Sequence, residues 1–278
     1  STPLDHDVAG VIDMSYGADS QCVATATGVQ CKGYQGGGLG DAANTTNTTS
    51  YVTVDTLTDA LDVSVGSDFV CALDGSGSPY CWGSGEKGRI GDGNTNDYTT
   101  PVASNTTTTF VSIESGASHS CALTSAGALE CWGDNSDAQM AETPWVKNVG
   151  GTKSFKSPSA ITELSGSTIS KVSIGTESLF TAALIDNGSI AVWGTYQSNV
   201  YTDHFVLNSG VATDVAAGTD HVCYIESGAV TCTGDNSAGQ TTVPTLSKTP
   251  ASVYAGADWS CAGFEDGTYT CWGSKAGW

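Results

Sequence analysis

Ten cysteines carry the most readable chemistry of this sequence. They fall into five pairs separated by nine or ten residues, each within one copy of a repeated unit. A further copy lacks both cysteines and has Phe180 and Val192 in their places, which indicates that the two cysteines of a unit are partners. Zinc sites usually show cysteines two to four residues apart, so the spacing favours disulfides over metal. The predicted bridges are Cys22–Cys31, Cys71–Cys81, Cys121–Cys131, Cys223–Cys232 and Cys261–Cys271.

Histidines and paired carboxylates are the other candidates for chemistry. His119 and His221 each stand three residues after the glycine that marks their unit, so we expect structural hydrogen bonds between units rather than a catalytic base. Two carboxylates across a cleft can hydrolyse glycosides, and the acid pairs that could do so are Asp59 with Asp62 and Asp134 with Asp137. No nucleophile elbow, His-Glu-x-x-His helix or phosphate loop occurs in the sequence. We predict no catalytic residue and no enzymatic activity.

One loop resembles the beginning of a calcium-binding loop. Asp92, Asn94 and Asn96 offer oxygen ligands at its first, third and fifth positions. The central glycine is missing, and Ala103 stands where the bidentate glutamate would be. We therefore predict neither a metal nor a cofactor.

Modification and contact sites are predicted from short motifs. Four asparagines begin Asn-x-Ser/Thr and could carry N-linked sugars, namely Asn44, Asn47, Asn105 and Asn187. Trp145 follows Pro144 in the least regular part of the sequence and is the best candidate for an exposed aromatic contact.

The elements that position these residues follow from the repeat. A glycine is followed five residues later by cysteine or phenylalanine in all six units, which start 49, 50, 59, 43 and 38 residues apart. Alternating apolar residues and Gly-centred turns predict strands, and units of this period are typical of propeller blades. We predict one all-β domain over residues 1–278. Its repeats are approximately 1–40, 41–95, 96–145, 146–200, 201–240 and 241–278.

The unit resembles the repeat of the regulator of chromosome condensation family. The resemblance rests on residues 112–123, which continue through Gly127 to Cys131-Trp132-Gly133, and on the glycine-rich stretch 83–93. It implies a β-propeller, usually of seven blades in that family, and a rigid scaffold whose loops bind another protein. Six units are recognisable here, and residues 134–160 could hold a further strand pair.

Two predictions concern the ends of the ring. Pro3-Leu4 repeats the Pro-apolar element that opens most units, so we expect residues 3–13 to supply strand material to the last blade and close the ring. In the alternative, this strand completes the last blade of a neighbouring molecule and produces a head-to-tail filament.

Charge and cysteine content restrict the partners and the compartment. A net charge of −20 disfavours binding to nucleic acid and to anionic membrane surfaces. The sequence contains no run of about 18 apolar residues, so it predicts no membrane-inserted helix. Paired cysteines indicate an oxidising, extracellular or cell-surface location. We expect a noncatalytic binding or assembly module whose partner is an extracellular protein, a glycan, or another copy joined through the N-terminal strand. The alternatives are a secreted glycan-active enzyme and, by family analogy, an inhibitor of a secreted enzyme.

Overall fold

The computed structural model describes residues 8–274 apart from 18–19, 34–37, 43–46, 141–153, 162–163, 165 and 209. In this part of the chain, strands form six antiparallel sheets in chain order, and each sheet is one blade of a β-propeller. The only helical turn among these residues is the 3-10 turn Glu86–Gly88. The predicted all-β propeller of six blades is confirmed.

Blades 1 and 2 contain four strands each. Blade 1 consists of β1 Val11–Tyr16, β2 Ser20–Thr25, β3 Gly28–Gly33 and β4 Thr48–Thr53. Blade 2 consists of β5 Asp62–Val65, β6 Phe69–Leu73, β7 Pro79–Gly83 and β8 Tyr98–Ala103.

Blades 3 and 4 also contain four strands each. Blade 3 consists of β9 Ser112–Ser115, β10 His119–Leu123, β11 Leu129–Asp134 and β12 Ser154–Ala160. Blade 4 consists of β13 Ile169–Ser173, β14 Phe180–Ile185, β15 Ile190–Tyr196 and β16 Asn199–Val206.

Blades 5 and 6 contain three described strands each. Blade 5 consists of β17 Ala212–Ala217, β18 His221–Glu226 and β19 Ala229–Gly234. Blade 6 consists of β20 Ser252–Ala255, β21 Trp259–Gly263 and β22 Tyr269–Gly273.

The glycine that marks each unit ends the inner strand of its blade, where neighbouring blades approach most closely. A Cβ atom added at Gly66 would lie 2.8 Å from the carbonyl oxygen of Gly116 in the next blade and would collide with the Phe69 ring. Only glycine leaves room for both the ring and the neighbouring backbone.

Sequence repeats and blades are offset by one strand. The segment that opens a repeat pairs with the preceding blade as its outer strand: Val52 lies opposite Cys31, and Val102 lies opposite Cys81. Residues 134–160 therefore contain no extra blade in their described part, because β12 is the outer strand of blade 3.

The predicted ring closure by residues 3–13 is wrong for residues 11–13. These residues belong to β1, the inner strand of blade 1, where Ser15 lies opposite Cys22. The reason is the repeat itself: Asp13 stands four residues before Gly17, the place that Asp62 takes before Gly66 on the inner strand of blade 2. Residues 3–7 lie outside the described part of the chain.

The hydrophobic core is divided among the junctions between successive blades. Five buried clusters join blades 1 and 2, 2 and 3, 3 and 4, 4 and 5, and 5 and 6. Each blade thus buries its apolar side chains against its neighbours rather than within itself, as stacked repeats do.

All five predicted disulfides are present, and no described cysteine is free. Each bridge joins directly opposed residues of the second and third strands of one blade, as Cys121 and Cys131 show. In blade 4, Ala182 and not Phe180 lies opposite Val192, and all three side chains are buried.

Removal of one bridge tests its contribution. Replacing Cys121 and Cys131 together by alanine should lower the free energy of unfolding by about 2.7 kcal/mol, the value that chain entropy gives for a closed loop of about ten residues. Guanidinium denaturation without reductant measures this change. Denaturation in reductant is the control, because there the wild-type chain should lose its advantage over the variant. Equal stabilities without reductant would contradict the stabilising role.

Candidate functional site: the blade junctions and the axial surface

A tryptophan hydrogen bond connects a blade to the loop of the blade before it. The indole Nε1 of Trp132 donates to the carbonyl oxygen of Arg89 at 3.0 Å, and that of Trp193 donates to Gln139 at 2.7 Å. Two further bonds of the same kind run from Trp82 to Gly38 and from Trp272 to Gln240, both at 2.8 Å. The tryptophan of each Trp-Gly motif therefore holds the post-Trp-Gly loop of its neighbour.

His119 extends this bond into a short network. Its Nε2 lies 2.9 Å from the Thr181 hydroxyl of the next blade, and this hydroxyl donates to the Gln139 carbonyl at 3.2 Å. Because the hydroxyl hydrogen points to the carbonyl, the imidazole Nε2–H is the donor to Thr181. The Gln139 oxygen thus accepts from both Thr181 and Trp193.

His221 repeats the arrangement two blades later. Its Nε2 lies 2.9 Å from the Ser260 hydroxyl, which donates to the Gln240 carbonyl at 2.8 Å. Both histidines are fully buried, and burial lowers the pKa of each from 6.5 to about 4. The expected hydrogen bonding of His119 and His221 between units is confirmed, and both imidazoles are neutral at physiological pH.

Polar side chains of the inner strands form a second set of links. The Ser15 hydroxyl accepts from the Val65 backbone N–H at 3.0 Å, and the Ser64 hydroxyl accepts from Ser115 at 2.8 Å. Asp62 accepts from the Ile113 N–H at 2.7 Å. Such bonds satisfy inner-strand N–H groups that have no strand beside them on the axial side.

Three of these inner-strand carboxyls crowd together. The Val63 N–H lies 2.9 Å from Asp62 Oδ1 and 3.3 Å from Asp13 Oδ2, so these two carboxyls lie side by side, and the Glu114 charge contributes to raising the pKa of Asp62. Burial, followed by the Asp13 charge, holds the pKa of Asp62 well above its ordinary value. Burial also raises the pKa of Glu114 to about 8, although Lys171 opposes the shift. Glu114 therefore keeps its proton at neutral pH.

The geometry of this group differs from that of a glycosidase. Retaining and inverting enzymes keep their carboxyls roughly 5–9.5 Å apart across a cleft, whereas Asp13 and Asp62 both accept from the single Val63 N–H. Lys171 is engaged with Asp214 at 2.6 Å, and Asp214 also accepts from the Val253 N–H at 2.8 Å. These charges tie blades together.

Acidic side chains lie in the turns at one end of the blades, and three of them, Asp68, Glu177 and Asp258, are exposed. First and third strands both end there, so the turns after the unit glycines share this face with the post-Trp-Gly loops. The second residue after the glycine is acidic in four described turns, at Asp68, Glu177, Asp220 and Asp258. This face, which we call the acidic face, surrounds the axis with negative charge.

The other predicted acid pairs serve local structure. Asp134 accepts from the Ser136 N–H at 3.0 Å and forms an ion pair with Lys87, while Asp137 accepts from the Thr195 hydroxyl at 3.0 Å. Asp59 is exposed, and Asp62 belongs to the carboxyl group described above.

The loop that resembles the beginning of a calcium-binding loop is closed by its own hydrogen bonds. Asp92 accepts from the Tyr98 hydroxyl and from Asn94, both at 2.6 Å, and Asp97 accepts from the Gly85 N–H at 2.9 Å. In the described part of the chain, no group of three or more histidine, cysteine or acidic side chains is placed to hold a metal ion.

The predicted glycosylation and contact residues are spread over the molecule. Asn47 is exposed before β4, Asn105 follows β8, and Asn187 lies in the tight turn between β14 and β15. Asn105 donates to the Ser157 hydroxyl at 3.3 Å. Asn44 and Trp145 lie outside the described residues.

Sequence reasoning missed the residues that accept the tryptophan bonds. These acceptors are the backbone carbonyls of Arg89, Gln139 and Gln240. A backbone acceptor does not require a particular residue type, so the sequence does not reveal it. A signal was nevertheless present in blades 1–3. The residue directly after the acceptor is apolar and fully buried there, namely Leu39, Ile90 and Met140.

Two family models, both described as the Regulator of chromosome condensation (RCC1) repeat, match the chain. One matches residues 76–123, and the other matches residues 61–89 and 110–139. The matched segments contain the Gly-x5-Cys strands, the Trp-Gly motifs and the loop that accepts the Trp132 bond. The chain is an RCC1-like β-propeller. No curated protein sequence matches it.

Solved structures agree with this RCC1-like fold at low identity. Human WBSCR16 is similar at 17% identity and a TM-score of 0.77, over 96% of this chain and 72% of that one. Prp20p from Saccharomyces cerevisiae, described with its binding to Gsp1p and histones, is similar at 17% identity and a TM-score of 0.76, over the same shares. The ectodomain of the Physcomitrella patens receptor kinase CR4 is similar at 23% identity and a TM-score of 0.60, over 95% and 63%. These likenesses establish the fold alone.

Among the described residues of the RCC1-like propeller, none belongs to a helix that is long and apolar enough to cross a bilayer.

The raised pKa of Glu114 predicts how stability depends on pH. The native state keeps a proton up to about pH 8, whereas the ordinary value is 4.5, so this contribution is complete below pH 4.5 and is lost as the pH rises to about 8. Glu114→Gln should flatten the decline in unfolding free energy above about pH 6.5, where the histidines no longer contribute.

Denaturant titrations at several pH values measure this slope. The exposed Glu265 offers a matched control as Glu265→Gln. An unchanged slope in Glu114→Gln would contradict the raised pKa of Glu114 in the native state.

Proposed function

We propose that the chain is a noncatalytic extracellular binding or assembly module whose loops engage a protein or glycan partner. The observation that supports this proposal is that the side chains able to do chemistry are engaged in structural bonds. Ten cysteines form disulfides, and His119, His221 and the inner-strand acids form hydrogen bonds between blades. A rigid scaffold with loops projecting from it is a common basis for recognition.

The acidic face is the proposed binding surface. It carries the carboxylates of Asp68, Glu177 and Asp258 in the turns after the unit glycines, and all three of these side chains are exposed. Complementary charge steers association, so the favoured partner is a protein with a basic patch. A glycan partner remains a candidate only through the polar, Thr-rich loops.

An extracellular or cell-surface location is part of the proposal. Five disulfides support it, since such bridges persist where thiols are not kept reduced. Exposure of Asn47, Asn105 and Asn187 is compatible with N-glycosylation in a secretory pathway. Self-association is a second candidate function, favoured by the exposed and mutually packed Tyr254 and Tyr269 rings of blade 6.

Charge reversal on the two faces tests the binding surface. The triple variant Asp68→Lys, Glu177→Lys, Asp258→Lys should lose capture of partner from the fluid around the producing cells. The control reverses three exposed acids at the opposite end of the blades, as Asp59→Lys, Asp186→Lys, Glu265→Lys, and should retain capture. Quantitative mass spectrometry of captured proteins and glycans is the measurement. Equal capture by both variants would contradict a role for the acidic face.

A further inference from the structure

The hairpin turn of blade 4 places a carboxamide directly before a glycine. This turn joins β14 to β15, and two backbone bonds close it, from the Ile185 N–H to the Ser189 oxygen and from the Gly188 N–H to the Ile185 oxygen, both at 2.8 Å. Asn187 is exposed on this turn. It is the only asparagine in the sequence that a glycine follows.

The Asn187 side chain folds over the amide nitrogen of that glycine. Its Oδ1 accepts from the Ser189 N–H at 2.9 Å, a bond that reaches past residue 188 and so brings the carboxamide carbon towards the Gly188 nitrogen. The same N–H would stabilise the negative charge that develops on Oδ1 when a nucleophile attacks this carbon. Glycine has no Cβ to obstruct the approach. The turn therefore holds an electrophile and a nucleophile of one chain side by side.

The equivalent turns of the other blades lack this combination. The residue before the turn glycine is Thr27 in blade 1, Ser76 in blade 2, Ala126 in blade 3, Ser227 in blade 5 and Asp266 in blade 6. Asp266 folds back in the same way, with its Oδ1 3.2 Å from the Thr268 nitrogen. The hydrogen bond from Lys248 lowers the pKa of Asp266 to about 2, so this side chain is an ionised carboxylate without a good leaving group at neutral pH.

We propose that Asn187 is a site of spontaneous modification through a succinimide. The Gly188 nitrogen gives up its proton and its bond to the Ile185 oxygen and forms a bond to the Asn187 Cγ, while Nδ2 takes up the proton and leaves as ammonia. Water then opens the imide ring. Cleavage of the new bond to Cγ leaves an aspartate, and cleavage of the bond to the main-chain carbonyl carbon leaves an isoaspartate. Water is the only co-reactant.

The modified residue lies where blade 4 is tied to blade 5. The Gly188 carbonyl oxygen accepts from the Ala212 N–H at 2.8 Å and from Asn208 Nδ2 at 2.9 Å, and Ala212 begins β17 of blade 5. Thr233 stands at the tryptophan position of blade 5, so this junction has no indole donor there. An isoaspartate adds a methylene to the main chain directly before Gly188. We expect this addition to weaken both bonds to the Gly188 oxygen.

The same side-chain nitrogen would carry the sugar in the Asn187 sequon. Loss of ammonia removes that nitrogen, so a molecule modified in this way can no longer be glycosylated at Asn187. The inference concerns the turn alone and does not depend on the proposed binding function.

Incubation of the folded full chain, expressed without N-glycosylation, in water enriched in heavy oxygen tests the site. Peptide mass spectrometry locates each new carboxyl group, and the heavy label shows that its oxygen came from the solvent. Asn94 is the matched control within the molecule, because its Oδ1 accepts from the Asn96 N–H at 2.8 Å in the same way but Thr95 follows it.

Label at position 187 should accumulate at least about tenfold faster than label at position 94, a difference of about 1.4 kcal/mol in the barrier. The rate at position 187 should rise with pH, since the Gly188 nitrogen must lose its proton to attack. Asn187→Gln should abolish the label there, because the longer side chain does not form this ring. Asn94→Gln should leave the rate at position 187 unchanged.

Hydroxylamine added to the folded chain detects the imide directly. It cleaves the ring between residues 187 and 188, and no disulfide joins the fragments 1–187 and 188–278, so they separate on a denaturing gel without reductant. The wild type should give both fragments and Asn187→Gln should give neither.

A rate at position 187 no higher than that at position 94 would overturn the inference. Label or cleavage that appears only after the chain has been unfolded in denaturant would also overturn it, because the folded turn would then protect Asn187. In modified molecules the Ala212 amide should exchange with solvent faster than in unmodified ones. Unchanged exchange at Ala212 would overturn the expected loosening of the junction.

Discussion

A sheet of three or four short strands buries its apolar side chains only against another sheet, and this constraint organises the whole molecule. Each successive pair of blades shares one buried cluster, and backbone carbonyls such as those of Gln139 and Gln240 fix the two blades at a set distance. The unit glycine keeps the inner ends close enough for these contacts. Blade geometry, loop position and the acidic face all follow from junctions of one kind.

Polar groups at the junctions decide which chemistry is available. A buried imidazole with a pKa of about 4 and a bond to Thr181 holds two blades in place as a neutral donor. Burial raises the pKa of Glu114 to about 8, so this inner-strand carboxyl is neutral at physiological pH. Disulfides act inside blades and hydrogen bonds act between them. The surface that remains for function consists of the loops.

The repeat made most of the fold predictable, because the patterns that indicate strands, turns and a cysteine pair recur in the same order in most units. The joint absence of both cysteines from one unit was enough to pair ten cysteines correctly, although Ala182 and not Phe180 takes the place of the first cysteine there. The offset between repeat and blade was harder to place, since Pro3-Leu4 repeats the outer-strand pattern while residues 11–13 begin an inner strand. The Asp13 and Asp62 contact joins residues about fifty positions apart, and only the closed register of two blades brings them together.

Amide hydrogen exchange tests most directly the claim that junctions between blades carry the stability of the fold. The inner strands β5, β9, β13 and β17 should be the most protected, because each of their blades is covered on both sides by a buried cluster. Protection of these inner strands that is no greater than that of the outer strands β4, β8, β12 and β16 would contradict the account.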